Sequence, residues 1–273
     1  MLSDILWIIA VTCYSAAAAA FLWSAGTFST KATTAKAVAA AGLLVHAALM
    51  VLLGFELGRV PLTNLRESLL FVGWAVMAFF LATRSTRRPA VLGAAAALIC
   101  AALVVSASVA PGSTCRFVLP VLRSRWSVVH VAASLGGYAG FALAFAAGAL
   151  YCVNDSLLKN KRVGRWQTAL PSLDTLDRFA YKMVALGFPL FTLGVVTGSM
   201  WAQSAWGTYW SWDPKETWSL VTWLVYAAYL HVRVFLGRRG KFANRLLLIG
   251  FACTLITFLG VSLFAGGLHS YTR

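Results

Sequence analysis

The chain has 273 residues, 60% of them apolar and only 11% charged, where soluble domains average about a quarter charged. That excludes an ordinary soluble enzyme and points to a membrane protein. The net charge of +15 would suit nucleic acid, but the Lys and Arg residues fall in short connections between apolar segments, the pattern that orients helices in a bilayer.

Taken in chain order, the first apolar stretch runs from Ile5 to Ala25. It is preceded by Asp4, with no basic n-region and no obvious cleavage site, and reads as a first span rather than a signal peptide. Further spans are expected at Ala37 to Gly54, Glu67 to Thr83, Ala90 to Ala110, Val128 to Tyr151, Met183 to Met200, Pro214 to Leu236 and Leu246 to Gly266. Each approaches the ~20 residues that cross a hydrocarbon core about 30 Å thick. The fold class is therefore all-α, a polytopic transmembrane bundle of about eight spans. The chain reads as one integral membrane domain over 1–273, with an outer loop at 200–218. Between Cys152 and Lys182 lies a polar connection whose segment LPSLDTLDRFAYK has the spacing of a short amphipathic surface helix.

Sixteen Lys and Arg residues, from Lys31 to Arg245, fall in one set of connections, and seven, among them Arg59, Arg66 and Lys215, fall in the other. The richer side should be cytoplasmic. Both termini and the loop before Pro214 are then outside. On the fifth span Gly136, Gly140, Ala144 and Gly148 recur every four residues, a small-residue stripe that admits a neighbouring helix. The five cysteines, Cys13, Cys100, Cys115, Cys152 and Cys253, form no CxxC pair, no disulfide framework, no zinc spacing and no CxxCH motif. They read as small packing residues, with Cys115 in a polar loop.

Six of the eleven tryptophans lie between Trp201 and Trp223. An interfacial aromatic belt would spread over all spans and both faces. Here Trp201, Trp206, Tyr209, Trp210, Trp212 and Trp218 crowd one short connection, as a platform for a planar ligand would require. In the sequence DPKE that follows, Asp213 fits an N-cap, Pro214 the first helical position and Glu216 the third residue of a capping box. Lys215 is placed to pair with a ligand carboxylate. The histidines number four: His46, His130, His231 and His269. Imidazole is a common axial ligand of haem, and ionisable residues inside a membrane are usually functional. His130 and His269 are expected at the outer ends of their spans, beside the tryptophan loop. His231 is about five residues from the inner end of its span and His46 about eight from the inner end of its own, roughly 8 and 12 Å at 1.5 Å per residue. Similar depth would pair these two; a core histidine bonded to a neighbouring helix is the alternative for each, and the favoured one for His46 only.

The segment WAQSAWGTYWSWDPKETWSLVTWLVYAAYLHVR closely resembles the WWD domain of the CcsA family, also called ResC, membrane subunits of the system II cytochrome c synthase. PLTNLRESLLF (Pro61 to Phe71), LPSLDTLDRFAYK (Leu170 to Lys182) and SLFAGGLHSY near the end extend the resemblance over most of the chain. The DPKET ending is specific, because the related WWD proteins CcmC and CcmF carry other residues there. The resemblance implies that haem b, as substrate and ligand, moves from the cytoplasmic side to the outer face. There the WWD loop with Trp201, Trp206, Tyr209, Trp210, Trp212, Asp213 and Trp218, flanked by His130 and His269 on the iron, presents it to apocytochrome c. Two reduced CxxCH thiols then add to its vinyl groups. It further implies an inner iron ligand at His231, with the second ligand supplied by a CcsB, Ccs1 or ResB partner, where depth alone would select His46. Thiol-reducing proteins would act indirectly, no nucleic acid is implied, and no acid–base residue is evident. A haem exporter that hands its cargo to another synthase would use the same residues; a b-type electron-transfer subunit would need a quinone site that is not evident. A bacterial cytoplasmic membrane is favoured over a thylakoid.

Overall fold

The computed structural model describes residues 2–27, 32–83, 90–110, 124–160, 164 and 169–260. They form eight α-helices: α1 Leu2–Thr27, α2 Ala32–Leu57, α3 Leu65–Ala82, α4 Ala90–Val109, α5 Arg125–Lys159, α6 Leu173–Trp206, α7 Pro214–Val234 and α8 Lys241–Leu255, the last continued by a π-helical turn, Ile256–Gly260. Seven of these segments are long and apolar enough to cross a bilayer. The remaining helix, α7, has the length, 21 residues, but a first turn made polar by Lys215 and Glu216.

The bundle has two halves. In the first, α1 packs on α2 and α4, and α3 on α4; in the second, α5 lies along α6 and also touches α8, while α7 packs on α6 and α8. The α3–α5 contact is the main join. The seam between α5 and α6 is the closest. A Cβ on Gly140 would lie 2.8 Å from the Met183 carbonyl oxygen and 2.9 Å from the Gly187 Cα, and one on Gly137 would lie 2.7 Å from the Phe191 Cβ. The small-residue stripe is thus shared: Gly137 and Gly140 admit α6, whereas a Cβ on Gly148 would meet Leu247 of α8 at 2.8 Å. Without much hydrophobic drive between helices in lipid, such backbone approach is what holds a bundle together.

Side-chain caps fix the starts of α3, α5, α6 and α7. Asn64 accepts from the Glu67 backbone N–H at 2.9 Å. The Glu67 carboxylate in turn accepts from both Arg59 guanidinium nitrogens at 2.8 Å, from the Thr63 backbone N–H at 2.7 Å and from Asn64 at 2.8 Å. The Glu67 carboxylate is therefore the hub that ties PLTNLRESLLF into the entry to α3. The segment LPSLDTLDRFAYK is no separate surface helix. Ser172 caps it, and it runs without a break into the sixth span to give a helix of 34 residues, about 51 Å at 1.5 Å per residue. The reason is tertiary. Asp177 is bonded to Arg233 of α7 at 2.9 Å, and the Arg233 guanidinium lies over the Tyr181 ring, so the polar first turns pack on protein instead of lying on a membrane surface.

Candidate functional site

The tryptophan loop, residues 207–213, joins α6 to α7. Gly207 ends α6 in the left-handed conformation, φ 78°, where glycine carries no Cβ penalty. Asp213 caps α7, accepting from the Lys215 backbone N–H at 2.9 Å. Glu216 closes the capping box foreseen from DPKE and does more: its Oε2 accepts from the backbone N–H of Ser211 at 2.7 Å and of Asp213 at 3.3 Å, and from the Ser211 hydroxyl at 3.2 Å. One carboxylate thereby pins Ser211 and Asp213, on either side of Trp212. Trp212 between them has φ 60°, the one non-glycine residue with positive φ among the described residues, and its indole is 68% exposed.

The aromatic residues do not form one flat shelf. Tyr209 and Trp212 stand in the open, and Trp210 meets Trp212 edge-on with centroids 5.9 Å apart. Trp201 is buried on α6, edge-on to half-buried Trp206 at 4.9 Å. Trp218 is half-buried in the second turn of α7.

Beneath the loop is a pocket. Its walls come from α5 (His130, Tyr138), α6 (Phe191, Gly198), the loop and the start of α7 (Trp210, Lys215), with Ser68 of α3 and Phe258 of the π turn. The floor is apolar, and Tyr138 packs on both Phe191 and Phe258 with centroids 5.4 and 5.6 Å apart. Lower still, Phe141 and Tyr226 stack at 3.6 Å and close the core. The π turn is held by a bond between the Thr257 and Thr222 hydroxyls at 3.0 Å.

His130 is half-buried at the pocket wall. Its Nδ1 is 2.6 Å from the Gly194 carbonyl oxygen. A carbonyl only accepts, so Nδ1 carries the proton and the lone pair of the neutral ring is on Nε2, the arrangement in which a carbonyl orients a metal-binding imidazole. The ring lies parallel to the Trp201 indole, centroids 6.2 Å apart and planes 10° apart. These residues suit a metalloporphyrin: an imidazole nitrogen for iron, an apolar floor, and Lys215 for a carboxylate. His269 and the rest of SLFAGGLHSY lie outside the described residues, as does Cys115.

The other two histidines are far apart in kind. His231 is exposed on α7, stacked against Phe235 at 5.1 Å, and so is not a core histidine. His46 is fully buried, its Nδ1 3.2 Å from the Tyr14 hydroxyl, inside the first half. Their places along their helices also differ. Because α2 starts at Ala32, five residues before the expected span, His46 is about 21 Å from that helix end, while His231 is about 4.5 Å from the end of α7, at 1.5 Å per residue. The structure does not bring the two together.

Gly194 and Gly198 are site residues that the sequence reading passed over. Their signal was present: with Gly187 they recur at seven and four residues on α6, marking the face that α5 approaches.

Residues 62–269 match the cytochrome c assembly protein family. Among curated relatives, the cytochrome c biogenesis protein CcsA of Porphyra purpurea is 33% identical over 91% of this chain and 91% of its own length. The CcsA proteins of Microcystis aeruginosa and Gloeothece citriformis are 34% and 35% identical over 86% of this chain and 85% of theirs. Among solved structures, the cytochrome c haem lyase CcmF superposes with a TM-score of 0.74 at 18% identity, over 94% of this chain and 46% of that one. That likeness is one of fold, and this chain spans about half of the longer protein.

Proposed function

This chain belongs to the cytochrome c assembly family and to its CcsA proteins of cytochrome c biogenesis, and from that premise we propose that it carries haem to the outer face of the membrane and presents it there for covalent attachment to apocytochrome c. The observation that carries the reading is His130: an imidazole whose proton is held by the Gly194 carbonyl, set in the wall of a pocket roofed by the tryptophan loop.

In this reading haem b is the substrate. His130 and His269 ligate its iron from opposite sides. The apolar floor of Tyr138, Phe191 and Phe258 accepts the macrocycle, and Lys215 pairs with a propionate. Each CxxCH thiol adds across a vinyl double bond, sulfur to one carbon and hydrogen to the other, so no electron is gained or lost. The protein's contribution is placement, which lowers the entropic part of the barrier; the reactivity belongs to haem and to the thiols. The pocket interior is about 90 Å³, well below the roughly 300–1,000 Å³ of small-molecule sites. Entry of a macrocycle therefore requires Tyr209 and Trp210 to swing outward, and a loop secured at its two ends by Gly207 and Glu216 can open in this way.

His231 is the inner ligand. Its exposed ring needs a second ligand from another chain, and a CcsB, Ccs1 or ResB subunit fills that role. The basic connections orient the loop outward.

The test is a purified complex with its partner, assayed by pyridine haemochrome and by maturation of a c-type cytochrome. His130→Ala and His269→Ala should each lose outer haem and maturation together. Normal maturation in the double variant would sink the assignment. Reconstitution with a CxxCH peptide separates a synthase, which yields covalent product, from an exporter, which only releases haem.

A further inference from the structure

The wall of α6 that faces His130 is shaped around the imidazole. At Gly198 the three atoms nearest to an added Cβ are all in the His130 ring: Nδ1 at 2.5 Å, Cε1 at 2.6 Å and Cγ at 3.3 Å. Any side chain there would drive the ring out of its place. One turn earlier on α6, the Gly194 carbonyl accepts the Nδ1 proton, and a Cβ at Gly194 would lie 2.8 Å from the Ser134 backbone nitrogen of α5. The third wall is Trp201, buried and parallel to the ring. Gly194, Gly198 and Trp201 are spaced by four and three residues, so they line one helix face.

We propose that this face of α6 is a preformed socket for His130, and that Gly198 and Trp201 are positioning residues for the outer haem. The carbonyl of Gly194 sets the tautomer, which puts the iron-binding lone pair on Nε2. Gly198 lets the ring sit flush against the helix. The Trp201 indole fixes the plane of the ring, and through it the orientation of the imidazole about the iron–nitrogen bond. Trp201 is thereby reassigned: it acts behind the ligand and does not touch the macrocycle. The proposal rests on the reading of His130 as a haem ligand, but the socket itself can be tested without haem.

The first arm measures thermal melting of the full chain with its partner, haem removed. Gly198→Ala should lower the melting temperature while His130 is present and much less in a His130→Ala background, where the ring has gone. Gly136→Ala, at the same helix seam but facing only the flexible end of Leu190 at 3.4 Å, should change it by the same amount in both backgrounds. Equal losses for Gly198→Ala in the two backgrounds would overturn the socket. The second arm measures the low-spin ferric haem signals and haem retention. Trp201→Ala should shift those signals and weaken retention about tenfold, the lower end of what loss of an outer-shell partner costs a metal site. Trp201→Phe, which keeps a flat ring, should restore both. Unchanged signals in Trp201→Ala, with outer haem lost in His130→Ala, would overturn the positioning role and leave the ligand standing. Retention of outer haem by His130→Ala would overturn the ligand reading, whatever the melting arm gives.

Discussion

His130 and His231 both stand near helix ends, yet the chain encloses one and leaves the other bare. His130 has a carbonyl on its proton, a glycine at its flank and an indole against its face. His231 has Phe235 beside it and is otherwise open, on a helix face that also exposes Leu224. A ligand with three supports from its own chain is preorganised before haem arrives. One that stands on an exposed apolar face is completed by whatever covers that face. Under the proposed function, the difference would give the two steps of haem handling different owners: presentation to this chain, uptake to this chain together with its partner.

The largest effect that would break this comparison is a test of ownership. In the chain purified without its partner, His130→Ala should abolish bis-histidine haem, whereas His231→Ala should leave the haem spectrum unaltered; with the partner present, His231→Ala should lower total haem. Haem loss from His231→Ala in the isolated chain would show that the inner site needs no second subunit.

Next in size is the anchor beside His231. Asp177 and Arg233 are both buried, 11% and 5% exposed at their side chains. Breaking such a pair by removing one partner costs ~3–5 kcal/mol, because the other charge stays buried. Asp177→Ala should lower the melting temperature markedly and reduce haem uptake through the end of α7, while Asp177→Asn, which can still accept from Arg233, should cost less. The outer site should keep its low-spin signature in whatever folds.

Much of this was legible in the sequence. Helix number followed from segment length, the start of α7 from DPKE, and the nearness of His130 to the tryptophan loop from their expected place at one end of the bundle. What escaped was three-dimensional. The register of α5 against α6 decides that Gly194 and Gly198 are the residues of α6 that meet the imidazole. The fate of LPSLDTLDRFAYK turned on Arg233, some sixty residues away, which lets polar first turns join a spanning helix. The pairing of His46 with His231 failed because a count along the chain does not show that His46 is enclosed beside Tyr14 in the first half while His231 is exposed on α7. The π turn at Ile256–Gly260, whose Thr257 and Phe258 line the pocket, has no pattern of its own, since one extra residue per turn leaves no mark in hydropathy.

The smallest predicted effect carries opposite signs for stability and activity. Trp212 holds φ 60°, a left-handed conformation that costs a non-glycine residue about 1–2 kcal/mol, and Glu216 maintains it by binding the N–H groups on either side. Trp212→Gly should therefore stabilise the loop by about 1 kcal/mol while lowering cytochrome c maturation, because the exposed indole is gone. Glu216→Ala should do the reverse of the first and the same as the second: it removes a capping-box partner worth ~1 kcal/mol and lets Trp212 relax to an ordinary φ, with its indole no longer held outward. In the double variant the two losses of maturation should not add, since both act on one side chain. Melting curves and maturation assays on the four proteins check this. If Trp212→Gly melts lower than the parent, the outward indole was contributing more to the loop than its backbone strain costs.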